Sequence, residues 1–382
     1  MDIKSQTLEE LQDQFRGWDQ PAYRVSQLLE WLYVHRVGDW NAMTNLPKVL
    51  RDKLRNQFSL TSLELVRKQG ALDTTQKFLW RLQDNSLIES VLIPANPALY
   101  GESSDRHTLC VSTQVGCAYG CKFCASGLEG LKRNLGVEEI VEQVLAVERW
   151  HAGLTAPAPD PDAASLKTKN KAGPTAPPAA DRLVSNLVIM GMGEPLANYE
   201  NLLKALKILN APWGGGIGAR KITVSTSGLA PQIRRLADEP TQFRLAVSLH
   251  GATDAVRDRI MPVNRKYPLR ELAAACEYYQ QKKGRLITFE YILIAGVNDG
   301  LDQVKPLATL ARDLNAKVNL IPYNRVEGLP WERPAEEAQE AFLLGLEKQN
   351  VSATLRREKG HDIDAACGQL RLRTEKELSQ AG

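Results

Sequence analysis

The sequence is poor in aromatic side chains, which make up 6% of it, and it has only five histidines and six cysteines. No apolar run approaches the roughly 20 residues that a membrane-crossing helix needs, so a membrane is not expected among its partners. Met1-Asp2-Ile3-Lys4 opens the chain without the apolar stretch of a secretory signal, and a cytoplasmic location is the expectation. A large excess of charge is also lacking. The formal net charge is +3, too small to announce a nucleic-acid partner by itself. Basic residues gather locally instead, over 48–55, at Lys132-Arg133, at Arg356-Arg357 with Lys359, and at Arg371 with Arg373. Any one of these clusters reads first as a solvated helix face. Six cysteines in a reducing compartment argue for metal binding or catalysis over a disulfide framework.

What remains is ordinary globular material. The chain has 382 residues, 43% of them apolar, enough for two or three domains at about 150 residues each. Residues 1–60 carry helical spacing, with Leu8, Leu11 and Phe15 on one stripe and Val25, Leu28, Leu29 and Leu32 on another. From 61 to 107 the pattern is strand-rich: Phe78, Trp80 and Leu82 alternate with their neighbours, and 86–93 follows the turn-like Asp84-Asn85, which predicts a hairpin. From 108 onward, apolar runs at 108–112, 187–190, 221–225, 244–249, 286–293 and 317–321 alternate with helical patterns at 137–149, 202–209, 231–237, 269–282, 303–314 and 335–349. Strands alternating with helices predict an α/β fold with a parallel sheet. Six such units over 108–370 fit an open or partial barrel, with a doubly wound sheet as the rival. Residues 152–180, rich in Ala, Pro, Lys and Asp, are expected to be a disordered insertion, and 371–382 a tail.

The densest chemistry is Gly116-Cys117-Ala118-Tyr119-Gly120-Cys121-Lys122-Phe123-Cys124, a C-x3-C-x2-C pattern directly after the first of those strands. A structural zinc site wants four ligands, and no fourth Cys or His follows nearby. Three thiolates on one loop suit an iron–sulfur cluster. Three protein ligands on four irons leave one iron open, and an open iron can chelate the amino and carboxylate groups of S-adenosylmethionine (SAM).

Other polar residues fall at strand ends, where barrel folds gather their ligands. Gly191-Met192-Gly193-Glu194-Pro195 offers glycines for close backbone approach and a carboxylate for an amino group. Ser225, the run Ser248-Leu249-His250, and Asn324 end further strands and suit a ribose-bearing cofactor, although Ser225 and Asn324 taken singly read as capping or turn residues. Cys276 sits in a helical pattern and reads as a small buried hydrophobe. Cys110 precedes the cysteine loop. Cys367 lies in the glycine-bounded stretch 360–370, which suggests an adaptable loop able to enter a site.

These motifs resemble the radical SAM superfamily and, within it, the RlmN family of dual-specificity adenine-C2 RNA methyltransferases. The resemblance runs from about residue 86 to 370 through Thr108 to Ser112, Gln114 to Cys117, Arg133 to Leu135, Met190 to Pro195, Ser225 to Gly228, Ser248 to His250, Asn319 to Pro322 and, most diagnostically, Asp362 to Leu370. It implies a partial (βα)6 barrel with a small helical N-terminal RNA-binding domain. The implied cofactors are a [4Fe–4S] cluster held by Cys117, Cys121 and Cys124, and SAM bound by Gly193, Glu194, Ser225, Ser248, Leu249, His250 and Asn324. The implied substrates are an adenosine of 23S rRNA and the adenosine beside the anticodon in tRNA. The implied electron donor is of the flavodoxin or ferredoxin kind, and the chain is expected to be a monomer. Adenine C2 is electron-poor and cannot simply attack the methyl group of SAM. The resemblance therefore implies that Cys367 carries the methyl group, that a radical from SAM activates it, that Glu89 removes the C2 proton, and that Cys110 releases the product by forming a disulfide with Cys367. Read without the resemblance, Glu89 is a solvent-facing strand residue. The chain departs from the family in a long connection between Ile93 and Cys110 and in the 152–180 insertion. The rivals are adenine-C8 methylation by the same cysteine pair and a non-catalytic RNA-binding iron–sulfur protein.

Overall fold

A computed structural model describes residues 1–71, 75–95, 106–155, 182–356 and 368–381. Among these, one ten-stranded sheet dominates. Three strands, β1 (Glu64–Gln69), β2 (Gln76–Arg81) and β3 (Leu87–Pro94), form an antiparallel meander that pairs with β4 (His107–Cys110). A separate two-stranded ribbon, β5 (Gln114–Gly116) with β6 (Leu131–Asn134), follows. From β4 the sheet continues in parallel through β7 (Asn186–Ile189), β8 (Ile222–Thr226), β9 (Arg244–Ser248), β10 (Thr288–Leu293), β11 (Lys317–Pro322) and β12 (Ala353–Leu355).

The parallel strands lie in the order of the sequence. A doubly wound sheet reverses its order at a switch point, so that rival is excluded. Right-handed crossovers without reversal put the helices that connect the parallel strands on one face. Leu245 and Val247 of β9, Phe289 and Tyr291 of β10, and Val318 and Leu320 of β11 point into that layer and are buried; Tyr291 stacks on Phe342 at 5.5 Å between ring centres. The alternate residues Ser225, Ser248, Glu290 and Asn319 face the concave side.

The helices follow their apolar spacing. In the N-terminal region are α1 (Leu8–Arg16), α2 (Tyr23–Leu29) and α3 (Lys48–Gln57). The start of α1 is a capping box: Thr7 Oγ1 accepts from Glu10 N, and Glu10 Oε2 accepts from Thr7 N at 2.7 Å. Between sheet strands lie α4 (Val137–Thr155), α5 (Tyr199–Asn210), α6 (Ala230–Asp238), α7 (Asp254–Ile260), α8 (Leu269–Lys283), α9 (Val304–Asp313), α10 (Glu336–Lys348) and, last, α11 (Gln369–Ala381). Cys276 is buried within α8, as its pattern predicts. No described helix is long and apolar enough to cross a membrane.

The N-terminal helices are joined to the barrel through α4. Lys4 Nζ lies 2.8 Å from Glu142 Oε2, with both side chains buried, and Arg36 pairs with Glu148 at 3.2 Å. The strand-rich segment 61–107 extends the main sheet through the β3–β4 pairing. The segment expected as a tail belongs to α11, which buries Leu370, Arg371 and Thr374. The expected insertion begins inside α4, which runs to Thr155; residues 156–180 and Cys367 lie outside the described residues.

Candidate active site

The cysteine loop joins β5 to β6. Gly116, at φ 77°, enters it, and a Cβ there would sit 2.0 Å from the Gly130 carbonyl oxygen, so only glycine fits. Cys117 N donates to Gly130 O at 2.9 Å and Cys124 N to Cys121 O at 3.1 Å. Two distant elements pin the residue between the last two cysteines: Lys122 N donates to Ile260 O at 2.9 Å, and Trp331 Nε1 donates to Lys122 O at 2.7 Å. Phe123 meets the His250 ring edge-on at 4.9 Å.

Burial pushes the Cys117 thiol up to about 12. It pushes Cys121 well above the ordinary thiol value too, with the charges of Cys124 and Cys117 adding to the effect. Thiolates are therefore disfavoured there unless a cationic partner offsets the burial. Three sulfur donors on one pinned loop fit an iron–sulfur cluster in their chemistry. Among the described residues no three His, Cys, Asp or Glu side chains are gathered closely enough to hold one metal ion; a four-iron cluster places each thiolate on its own iron.

The expected cofactor residues line the adjoining strand ends. Ser225 Oγ and Ser248 Oγ lie 3.5 Å apart. Glu194 is buried; its Oε1 accepts from Leu196 N at 3.0 Å and its Oε2 from Ser227 N at 2.7 Å. Burial raises its carboxyl despite these bonds. Leu249 is buried and its N–H donates to Glu290 O at 2.9 Å. His250 adopts φ 53°, and its Nδ1 accepts from Ile292 N at 3.0 Å. Asn324 Oδ1 accepts from Arg333 at 3.2 Å. The glycines allow a close approach within the protein. A Cβ on Gly191 would fall 2.6 Å from Val111 O, and one on Gly193, at φ 96°, 2.5 Å from Gln114 Cβ. They bring two protein segments together.

Glu89 is not solvent-facing. It is buried on β3, with Lys77 Nζ 3.2 Å from Oε2. Its neighbour in the sheet is β4, where Val91 pairs with Cys110. The two carboxylate oxygens cap the start of α11: Oε2 accepts from Gly368 N at 2.9 Å and Oε1 from Arg371 N at 2.7 Å. The residue that follows Cys367 in the chain is thus bonded to Glu89, one strand away from Cys110.

Several supporting residues were not singled out from the sequence. Gln143 of α4 is buried; its Oε1 accepts from Ser112 N at 2.8 Å and Ser90 Oγ at 2.9 Å, and its Nε2 donates to Ser112 O at 2.9 Å. Its position on the apolar stripe, between Ile140 and Val147, is the signal that could have revealed it. Arg257 of α7 is fully buried and donates to Ser227 O at 3.0 Å, Ser248 O at 3.2 Å, Leu249 O and Asn264 Oδ1 at 2.9 Å. It ties β8 and β9 together where Ser225 and Ser248 sit; burial holds it down at about 10. No local pattern announces it. A cleft of about 580 Å³ opens beside the loop, lined by Tyr119, Leu196, Asn198, Tyr199, Gln232 and Arg235 among others. It includes none of the expected cofactor residues.

Residues 1–60 match the profile described as the ribosomal RNA large subunit methyltransferase N-terminal domain. Residues 179–305 match the radical SAM superfamily. The second match begins after the cysteine loop, so the reading of the three cysteines rests on the chemistry of the loop. The chain is 54% identical over 375 residues, 98% of its length and 95% of the relative's, to a probable dual-specificity RNA methyltransferase RlmN 3 of Opitutus terrae. It is 48% identical over 377 residues to a probable dual-specificity RNA methyltransferase RlmN of Akkermansia muciniphila, covering 99% of this chain and 97% of that one. A crystal structure of a radical SAM methyltransferase from Sphaerobacter thermophilus superposes with TM-score 0.83 at 42% identity, covering 97% of this chain and 98% of that one.

Proposed function

The chain belongs to the RlmN family of dual-specificity radical SAM RNA methyltransferases, and on that premise we propose that it methylates C2 of an adenosine in 23S rRNA and of the adenosine beside the anticodon in tRNA. A [4Fe–4S] cluster and SAM are the cofactors of this family. In this reading Cys117, Cys121 and Cys124 hold the cluster, and Gly193, Glu194, Ser225, Ser248, Leu249, His250 and Asn324 surround SAM. When bound, the pair supplies a radical able to abstract hydrogen from a methyl group.

The remaining work falls to the chain's own residues. Cys367 carries the methyl group to the base. Glu89 takes the proton that leaves C2, and the Lys77 ammonium beside it balances its charge in a buried setting. Cys110 attacks the Cys367 sulfur to free the product, which requires a thiolate within reach. His250, Ser248 and Ser225 orient polar groups of the cofactor, and Arg257 keeps those strand ends in register. A cytoplasmic monomer served by a flavodoxin- or ferredoxin-like donor completes the reading.

One observation carries it: the Glu89 carboxylate accepts a 2.9 Å hydrogen bond from the amide next to Cys367, on the strand paired with that of Cys110. A covalent methyl-transfer route would use these three residues together. The test is nucleoside mass spectrometry of 23S rRNA and tRNA incubated with the reconstituted enzyme. The expected product is 2-methyladenosine, absent with Cys367→Ala. Formation of 8-methyladenosine, or undiminished product from Cys367→Ala, would overturn the reading.

A further inference from the structure

We propose that Arg371 is a positioning residue for the C-terminal cysteine: its ion pair with Glu129 latches the first turn of α11, and with it the backbone that follows Cys367, onto the cysteine loop. The proposal rests on the assignment of Cys367 as methyl carrier.

Arg371 is a charged side chain with no solvent exposure, a placement tolerated only when the charge is paired. Its Nη1 lies 2.8 Å from Glu129 Oε2 and 2.5 Å from Glu375 Oε2. Glu129 stands between Cys124 and β6, on the loop that carries the three cysteines. Lys132, at the start of β6, approaches Glu375 at 3.6 Å and Glu129 at 4.0 Å. Two cations and two carboxylates thus join α11 to the loop, with no net charge.

Two further contacts hold the same turn. Gly368, at φ 83°, packs directly on the turn Ala125–Gly127: a Cβ there would meet Ser126 Oγ at 2.7 Å and Ser126 Cα and N at 3.0 Å. Glu89 accepts from the amides of Gly368 and Arg371. The start of α11 is therefore caught between β3 and the cysteine loop, and the Arg371–Glu129 pair, flanked by Lys132 and Glu375, reaches the loop through side-chain charge. A transfer between a carrier and a neighbouring reactive centre needs reacting atoms within about 3–3.5 Å. Anchoring the residue next to the carrier limits where the carrier can go. Without the latch the loop keeps its three cysteines, but the carrier is presented less often, and SAM is spent without methyl transfer.

The test uses the full chain and three variants, Arg371→Met, Arg371→Lys and Glu129→Gln. In metal-free protein, amide hydrogen exchange over 125–131 and 368–377 should be at least about tenfold faster in Arg371→Met and Glu129→Gln, with β8 to β11 unchanged. In reconstituted enzyme, methyladenosine formed per 5′-deoxyadenosine released should fall about tenfold in Arg371→Met and less in Arg371→Lys, with wild-type iron and sulfide content. Unchanged exchange overturns the latch. Faster exchange with an unchanged product ratio also overturns the proposal, because it reduces the pair to a structural contact. Should Arg371→Met fail to fold, Glu129→Gln decides, since its side chain is 45% exposed. A wild-type enzyme that makes no methyladenosine refutes the proposed function instead, and the exchange result still judges the latch.

Discussion

His250 shows how one residue can be set by several elements. Its φ of 53° is a conformation that side chains other than glycine rarely adopt. Its carbonyl accepts from Asn298 Nδ2 at 2.7 Å and its Nδ1 from Ile292 N at 3.0 Å. With Nδ1 an acceptor, the ring proton sits on Nε2. Burial, aided by the charge of Arg257, lowers the imidazole to about 3, so the ring stays neutral throughout the physiological range. The unfolded chain, with an imidazole near 6.5, binds more protons than the folded one between those values. Stability from this group is complete above about pH 6.5 and is lost as the pH falls toward 3, by up to about 1.4 kcal/mol per unit. His250→Asn tolerates the same backbone and keeps an acceptor for Ile292. Denaturant unfolding from pH 7 to 4 should show the wild type losing stability relative to this variant as the pH drops; a pH-independent difference would contradict the burial argument.

At the scale of elements, the cysteine loop is held by what lies outside it. The β5–β6 ribbon closes its base, α7 reaches Lys122 N through Ile260 O, and the segment after β11 reaches Lys122 O through Trp331. The Arg259 guanidinium lies 5.6 Å from the centre of the Trp331 ring, and phenylalanine would keep that stacking while losing the N–H. Trp331→Phe should therefore cost about 1 kcal/mol and loosen the loop on one side. Iron release to a chelator, followed in reconstituted protein, should be several-fold faster than in the wild type, by about the factor that 1 kcal/mol represents. Wild-type retention would mean that Trp331 packs beside the loop without supporting it. The triplet of cysteines is legible because its residues are close together in the sequence. Trp331 and Ile260 are not legible, because nothing in either local pattern refers to residue 122.

For the whole molecule, one cluster takes in most of the buried apolar residues from Ile3 to Val351, and Leu79, Leu87 and Leu370 form a small second one. The N-terminal helices are part of that core, and α4 is where they join it. Lys4→Met removes one partner of the buried pair with Glu142. Such a loss costs about 3–5 kcal/mol, and the Arg149 guanidinium, which also bonds Glu142, should keep it at about 3 kcal/mol. Because the core is shared, denaturation monitored by far-ultraviolet circular dichroism and by tryptophan fluorescence should give one coincident, shifted transition. Two separated transitions would show the N-terminal region to be an independent module.

The alternation of apolar runs with helical spacing was determined by the sequence alone: all six strand segments and all six helix segments anticipated after residue 107 correspond to elements of the fold. That information is local, because a side chain's periodicity and its neighbours decide which face is buried. Which way the chain winds was not local. Strand order separated a partial barrel from a doubly wound sheet, and order depends on crossovers that no single segment encodes. Glu89 marks the boundary most sharply. As a residue in a strand it reads as a surface glutamate; it becomes a buried cap only because β3 and α11, 279 positions apart at Glu89 and Gly368, meet in space. The chemistry of each residue was written in the chain, while the partners that give it a role were decided by closure of the fold.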